Sequence, residues 1–150
     1  VIQLDPKAAV AYNNRGYNRQ ILKQYREALA DYDEAIRLAP KYVLAHQNRG
    51  WLLATCPEDA IRDGKQAVIS AKTACELGEW KHWPDLKALA AAYAEAGDFA
   101  QAIQWQTKTL EMAPADLRAE EQKALEAYKS NQPWRDMPAE MPKQPVTNDQ

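Results

Sequence analysis

Ala11-Tyr12-Asn13-Asn14-Arg15-Gly16-Tyr17 returns 34 residues later as Ala45-His46-Gln47-Asn48-Arg49-Gly50-Trp51. Four of the seven residues are identical, and an aromatic replaces an aromatic at the end. The same shift places Ile2 on Ile36, Leu4 on Leu38 and Pro6 on Pro40. Such self-similarity at a fixed period is the mark of a stacked array, because one unit cannot bury its apolar face alone. A third copy follows at a shift of 74, where Tyr25 meets Phe99, Ala28 meets Ala102, Pro40 meets Pro114 and Gly16 meets Ala90.

Seventy-four is two periods plus six, and the six extra residues can be placed. Ala28, Ala35 and Leu38 match Ala67, Ala74 and Leu77 at a shift of 39, so five residues enter between Trp51 and Ala67. Thr55-Cys56-Pro57-Glu58-Asp59 holds a proline that breaks helix and puts the insertion in a loop. The sixth falls in the turn 78–83. Each unit reads as two helices, near 8–22 and 25–38, 42–54 and 64–78, and 84–96 and 99–112. Pro6, Pro40 and Pro114 stop helices, Gly97 suits a helix C-terminus, and Asp63 and Asp98 suit N-caps. Small residues recur where paired helices must approach closely: Gly16, Ala28, Ala35, Gly50, Ala67, Ala74, Ala90 and Ala102. Tyr12, Tyr32, Leu86 and Tyr93 fill the spaces between.

A 34-residue helix–turn–helix with this order of small and aromatic residues resembles the tetratricopeptide-repeat (TPR) family. Residues 7–40 carry the resemblance best, through Tyr12, Gly16, Tyr25, Ala28, Tyr32, Ala35 and Pro40. The third unit carries it through Ala90, Tyr93, Gly97, Phe99, Ala102 and Pro114. The middle unit departs by its longer loop and lacks the closing proline. Trp51–Pro57, Arg62–Gly64 and Ala91–Phe99 also look like a bacterial TPR subgroup appended to larger multidomain proteins. The resemblance implies an all-α fold, a right-handed α-solenoid of helix–turn–helix repeats, closed by a C-terminal capping helix and followed by a Pro-rich tail. The boundaries expected are 1–6 for the last turn of a preceding repeat, 7–42, 43–82 with a longer loop 55–64, and 83–114 for three units. A capping helix over 115–130 and a tail over 131–150 follow. The capping helix has one narrow stripe, Leu117, Glu121, Ala124, Leu125 and Tyr128, apolar but for Glu121, and a charged opposite face.

Composition removes several function classes. The formal net charge is −2 with both signs interspersed, without the basic stripe of a nucleic-acid binder. No apolar run reaches the roughly 20 residues of a membrane helix. There is no Gly-rich phosphate loop, no H-E-x-x-H and no G-x-S-x-G. The two serines, Ser70 and Ser130, stand apart from any base. His46 sits at an apolar position, where the first unit has Tyr12, and reads as a packed ring. His82 reads as an exposed turn residue, and neither has metal-ligand spacing. Cys75 takes the place of Ile36 and reads as a buried thiol. Cys56 lies about 15 Å from it along the helix axis at the usual rise, too far for a disulfide. No catalytic residue, cofactor or metal is therefore expected. The compartment stays open, with the cytoplasm ahead of the periplasm.

In a TPR array the first helices of the units line the concave groove, and the resemblance implies that binding occurs there. Asn13, Tyr17 and Gln20 in the first unit, Gln47, Asn48 and Trp51 in the second and Lys87 in the third are expected to face it, with Ala91 and Ala94. Amide side chains offer donors and acceptors to an extended backbone, and Tyr17 and Trp51 offer flat apolar platforms. The alternative is that some of these only pack against the next helix. Some TPR domains clamp a C-terminal carboxylate with Lys and Asn. Here Asn48 fits one position, but Asn13 and Tyr17 stand where Lys and Asn would be needed, and Lys87 lies one turn from its place. A carboxylate clamp is not expected. The expected function is a scaffold for a protein or peptide partner. The rival readings are self-association through the open N-terminal edge or the tail, and a regulatory module attached to a catalytic domain elsewhere. In the tail, Trp134, Met137 and Met141 are spaced as intermittent anchors of an extended chain. Residues 131–145 are expected either to pack on a solenoid surface as a ligand mimic or to be unstructured.

Overall fold

A computed structural model describes residues 4–136; Val1–Gln3, Met137 and Met141 lie outside the described residues. Seven α-helices follow in order: α1 (Pro6–Ile21), α2 (Tyr25–Leu38), α3 (Val43–Thr55), α4 (Gly64–Leu77), α5 (Trp83–Glu95), α6 (Phe99–Met112) and α7 (Arg118–Lys129). A short 3-10 turn, Ala115–Leu117, leads into α7. Strands are absent among the described residues, and the fold is the expected all-α solenoid. The inserted residues fall where the repeat offset puts them. The α3–α4 loop spans 56–63 against 22–24 and 96–98 in the other pairs, and the α4–α5 turn spans 78–82 against 39–42 between α2 and α3.

α1 opens on Pro6, two residues ahead of the start expected near residue 8, and the missing N–H of proline costs nothing there. Asp5 is the N-cap, its Oδ1 accepting from the Ala8 N–H at 3.1 Å. The Asp5 N–H in turn donates to the Leu38 carbonyl at 3.1 Å, tying the start of α1 to the end of α2. Asp63 and Asp98 cap α4 and α6 by accepting from Gln66 N–H at 3.1 Å and Gln101 N–H at 3.2 Å. Asp63→Ala is expected to cost about 1 kcal/mol, the usual value of a lost cap, read as a shifted denaturation midpoint.

Helices of a pair pack antiparallel, α1 on α2, α3 on α4 and α5 on α6, and α7 covers α6. Neighbouring units join through the second helix of one and the first helix of the next, α2 on α3 and α4 on α5, with α3 also packed on α5 and α1 touching α3 lightly. The second helices, α2, α4 and α6, lie apart from one another. A layer of touching helices backed by a layer of separated ones must curve toward the touching layer. The inner face is therefore the one built by α1, α3 and α5.

Side-chain size makes that layer possible. Ala88, Ala90, Ala91, Ala92 and Ala94 of α5 are all buried, and alanine combines the best helix propensity with the closest approach. A Cβ on Gly16 would lie 2.8 Å from the Tyr32 ring, and one on Gly50 would lie 2.9 Å from the Ala71 backbone nitrogen. The long loop is built around Ile61, which is buried with Tyr25, Tyr32, Leu52 and Cys56. Arg62 holds that loop by donating to the Cys56 carbonyl at 2.7 Å and pairing with Asp59 and Glu95.

His46 is buried as expected, and its Nε2 donates to the Pro40 carbonyl at 2.7 Å. Cys56 and Cys75 are both buried and unpaired. Burial pushes the Cys75 thiol up to about 12, and burial raises Cys56 as well. Because the thiolate is the reactive species, native protein at pH 8 is expected to leave a disulfide reagent nearly unreacted. Denatured, non-reduced protein should titrate two thiols, whereas rapid native labelling of Cys75 would contradict its burial.

Candidate functional site

The seven side chains expected on the inner face divide into those bonded within the chain and those left partly exposed. Asn13 is buried and held by its neighbours. Its Oδ1 accepts from Asn48 Nδ2 at 3.0 Å, and its Nδ2 lies 3.5 Å from the Tyr42 hydroxyl. These contacts join α1 to α3. Gln20 accepts from the buried Tyr32 hydroxyl at 2.7 Å, joining α1 to α2. Gln47 donates to Asp85 Oδ1 at 2.8 Å, joining α3 to α5. Burial raises the Asp85 carboxyl, while the Gln47 amide and His82 oppose that rise. The four amides are thus committed within the chain, because a buried polar group without a partner is costly.

Tyr17, Trp51 and Lys87 present chemistry outward. Tyr17 is 53% exposed. The Lys87 ammonium sits 4.8 Å from the centre of the Trp51 ring, within cation–π range. It also pairs with Glu121 of α7 at 3.1 Å. Glu121 is buried and accepts at 2.9 Å from Gln106 Nε2, which also reaches the Glu121 backbone carbonyl at 2.9 Å. Lys87 therefore couples α3, α5 and α7 at the centre of the face.

The chain after α7 completes the site. Asn131 takes a positive φ of 55°, and the Gln132 N–H returns to the Ala127 carbonyl at 2.9 Å. The chain then crosses back toward α3. Trp134 packs with Ala90, Ala94, Ala124 and Tyr128. Arg135 Nη1 donates to Glu95 Oε2 at 2.7 Å, while Arg62 takes the other oxygen of Glu95 at 3.2 Å. The Asp136 N–H donates to the Thr55 carbonyl at 2.9 Å, and its carboxylate accepts from Trp51 Nε1 at 3.2 Å. Ala91 and Ala94, expected to face the groove, are buried, Ala94 in the Trp134 cluster. Sequence reasoning named Trp134 as an anchor and put Glu121 on the packed stripe of the capping helix, but missed Thr55, Glu95, Arg135 and Asp136. Their only signal was a Trp-Arg-Asp run in an otherwise polar tail, which acquires meaning once α3 and α5 face it.

Residues 9–42, the first helix pair, match the tetratricopeptide repeat family. That stretch is one tetratricopeptide repeat. The helical fold of the chain is shared by the first TPR of Spaghetti (RPAP3) bound to HSP90 peptide SRMEEVD. The TM-score is 0.72 at 17% identity, over 87% of this chain and 97% of that one. It is shared also by the N-terminal domain of stress-induced protein-1 (STI-1) from C. elegans, with TM-score 0.60 and 20% identity over 83% and 96% of the two chains. At these identities the likeness is one of fold. The human mitochondrial import receptor subunit TOM70 is 42% identical over 50 residues, which is 33% of this chain and 8% of that receptor. These relatives do not bear on the bacterial subgroup expected from residues 51–57, 62–64 and 91–99. Among the described residues no helix is long and apolar enough to cross a membrane.

Proposed function

We propose that this protein is an interaction scaffold that takes an extended peptide segment of a partner on its inner face. One observation carries the reading: Tyr17 and Trp51 offer exposed or half-exposed aromatic faces on adjacent first helices. Their positions are supported from behind by the committed amides of Asn13, Gln20, Gln47 and Asn48. Rigid aromatics backed by a satisfied polar layer are the usual anchors of recognition. The RPAP3 neighbour, solved with a peptide bound, supports the same use of the fold.

The partner's chemistry differs from that neighbour's on this reading. Asn13 is buried, and Lys87 is paired with Glu121, so neither is free to hold a C-terminal carboxylate. SRMEEVD at about 1 mM, where only binding weaker than about −4 kcal/mol would be missed, is expected to leave the amide resonances unmoved. A random peptide library panned on the full chain is expected to yield binders that Tyr17→Ala weakens at least about tenfold, as loss of an aromatic anchor does. Binders indifferent to both Tyr17→Ala and Trp51→Phe would place recognition elsewhere.

A second reading, self-association, is favoured by the N-terminal edge. There Leu4, 60% exposed, and Val10 join Pro6, Leu38, Ala39 and Pro40 around an apolar cleft of about 340 Å3. Sedimentation mass that doubles with concentration and reverts in Val10→Glu would support it.

A further inference from the structure

The segment Trp134-Arg135-Asp136 meets the inner face as a bound peptide would. It runs from the end of α7 past the C-terminal end of α5 to that of α3, and each of its residues makes a different kind of contact. Trp134 fills an apolar recess, Arg135 adds a cation to Glu95, and Asp136 offers a carboxylate to the Trp51 indole N–H. One main-chain bond, from the Asp136 N–H to the Thr55 carbonyl, fixes its position. Main-chain bonds are indifferent to sequence, whereas the three side-chain contacts are not.

We infer that the inner face selects peptides carrying an aromatic, a basic and an acidic residue in succession, and that residues 134–136 occupy this site as a tethered competitor. The inference rests on the peptide-binding reading of that face and names the partner class. Its basis is that the receptor groups come from four separate helices. Thr55 and Trp51 belong to α3, Glu95 to α5, and the Trp134 recess is shared by α5, α6 and α7. A partner's segment can satisfy the same groups in the same order.

The grip on the tethered segment is light enough to exchange. The Arg135 side chain keeps 30% of its exposure and Glu95 16%, and pairs open to water contribute little. The Trp51–Asp136 bond, at 3.2 Å, is long for a charge-assisted one. Only Trp134 supplies sizeable apolar burial. What favours the internal segment is its tether, which gives it a high effective concentration without new contacts. An external peptide of the same chemistry therefore binds the face only in the fraction of molecules whose segment has lifted.

The test uses the full chain and the peptide Ac-QPWRDM-NH2, the sequence of residues 132–137. Arg135→Glu with Asp136→Ala should lift the internal segment, since a glutamate would face Glu95. This variant is expected to bind the peptide at least about tenfold more tightly than the unaltered chain, as for a site less than about a tenth open. The Trp51 indole N–H resonance should move on lifting and return when peptide is added. A scrambled peptide of the same composition should not bind. Glu95→Gln in the lifted background should weaken the peptide again. If Arg135→Glu with Asp136→Ala fails to fold by circular dichroism, Asp136→Ala alone serves, with the same indole readout.

A folded, lifted variant that ignores the peptide overturns the inference. If that variant still binds library peptides lacking the aromatic–basic–acidic run, and does so through Tyr17, the scaffold reading survives while this inference falls. If it binds no peptide at all, both fall. A mass that doubles in the unaltered chain and not in the lifted variant would also overturn the inference, since the segment would then be exchanged between copies.

Discussion

Gly50→Leu is expected to lower stability by about 3 kcal/mol, the upper part of the range for overpacked contacts. The first side-chain atom at this position would stand 2.9 Å from the Ala71 backbone nitrogen and 3.1 Å from the Ala71 Cβ. Neither can turn aside, because both belong to the body of α4. Relief requires α3 and α4 to separate, and α3 also carries Trp51 and the buried Leu52 and Leu53. Gly16→Leu should cost less, since the atom it meets at 2.8 Å belongs to the Tyr32 ring, a side chain. That ring is fully buried and its hydroxyl is bonded to Gln20, so the cost remains above 1 kcal/mol or so. For a chain of this length, about 3 kcal/mol corresponds to roughly 6–12 °C in the melting midpoint. Equal midpoints for Gly50→Leu and the unaltered chain would mean that α3 and α4 do not approach there.

Glu121→Ala is the second large effect. Glu121 is buried, and it holds both the Lys87 ammonium and the Gln106 amide. Removing one partner of a buried ion pair strands the other, at roughly 3–5 kcal/mol when both are fully buried. Lys87 keeps 30% of its side-chain exposure, so the expected loss is lower, about 2–3 kcal/mol after that allowance. A double substitution, Lys87→Met with Glu121→Leu, should recover most of it, because an apolar pair of similar volume removes the stranded charge. Chemical denaturation of the four members of the cycle gives the coupling directly. Additive losses would show that Lys87 and Glu121 act independently. The single substitution should also loosen α7, and with it the segment that carries Trp134, so peptide affinity and stability are expected to change together.

Both effects trace to residues that are ordinary in isolation. Gly50 is legible from the repeat: it falls on Gly16 at a shift of 34, and a small residue at that place demands a close approach. Glu121 is legible only in part. Helical spacing puts it on the stripe of Leu117, Ala124, Leu125 and Tyr128, but nothing in the sequence names Lys87 and Gln106 as its partners. Its burial follows from the rotation of α7 against α6, which the apolar stripe of Ala124, Leu125 and Tyr128 sets. The amides divide in the same way. Asn13, Gln20, Gln47 and Asn48 can be placed on the inner helices by helical spacing. Whether an amide turns to a ligand or to a neighbouring helix depends on what stands within 3 Å of it, a matter of packing between units.

The repeat, its period, the six extra residues and the helix pairs were all present in the order of amino acids. Periodicity is a local property, and Gly, Ala, Pro and Asp at fixed offsets constrain the backbone within one or two turns. The site belongs to longer range. Trp51 and Asp136 are 85 residues apart and meet through one hydrogen bond, and Arg62, Glu95 and Arg135 come from a loop, a helix and the tail. No local rule joins such residues, because their meeting depends on the curvature of the stacked pairs and on the reversal at Asn131. That geometry turned a Trp-Arg-Asp run in a proline-rich tail into a segment lying across the inner face.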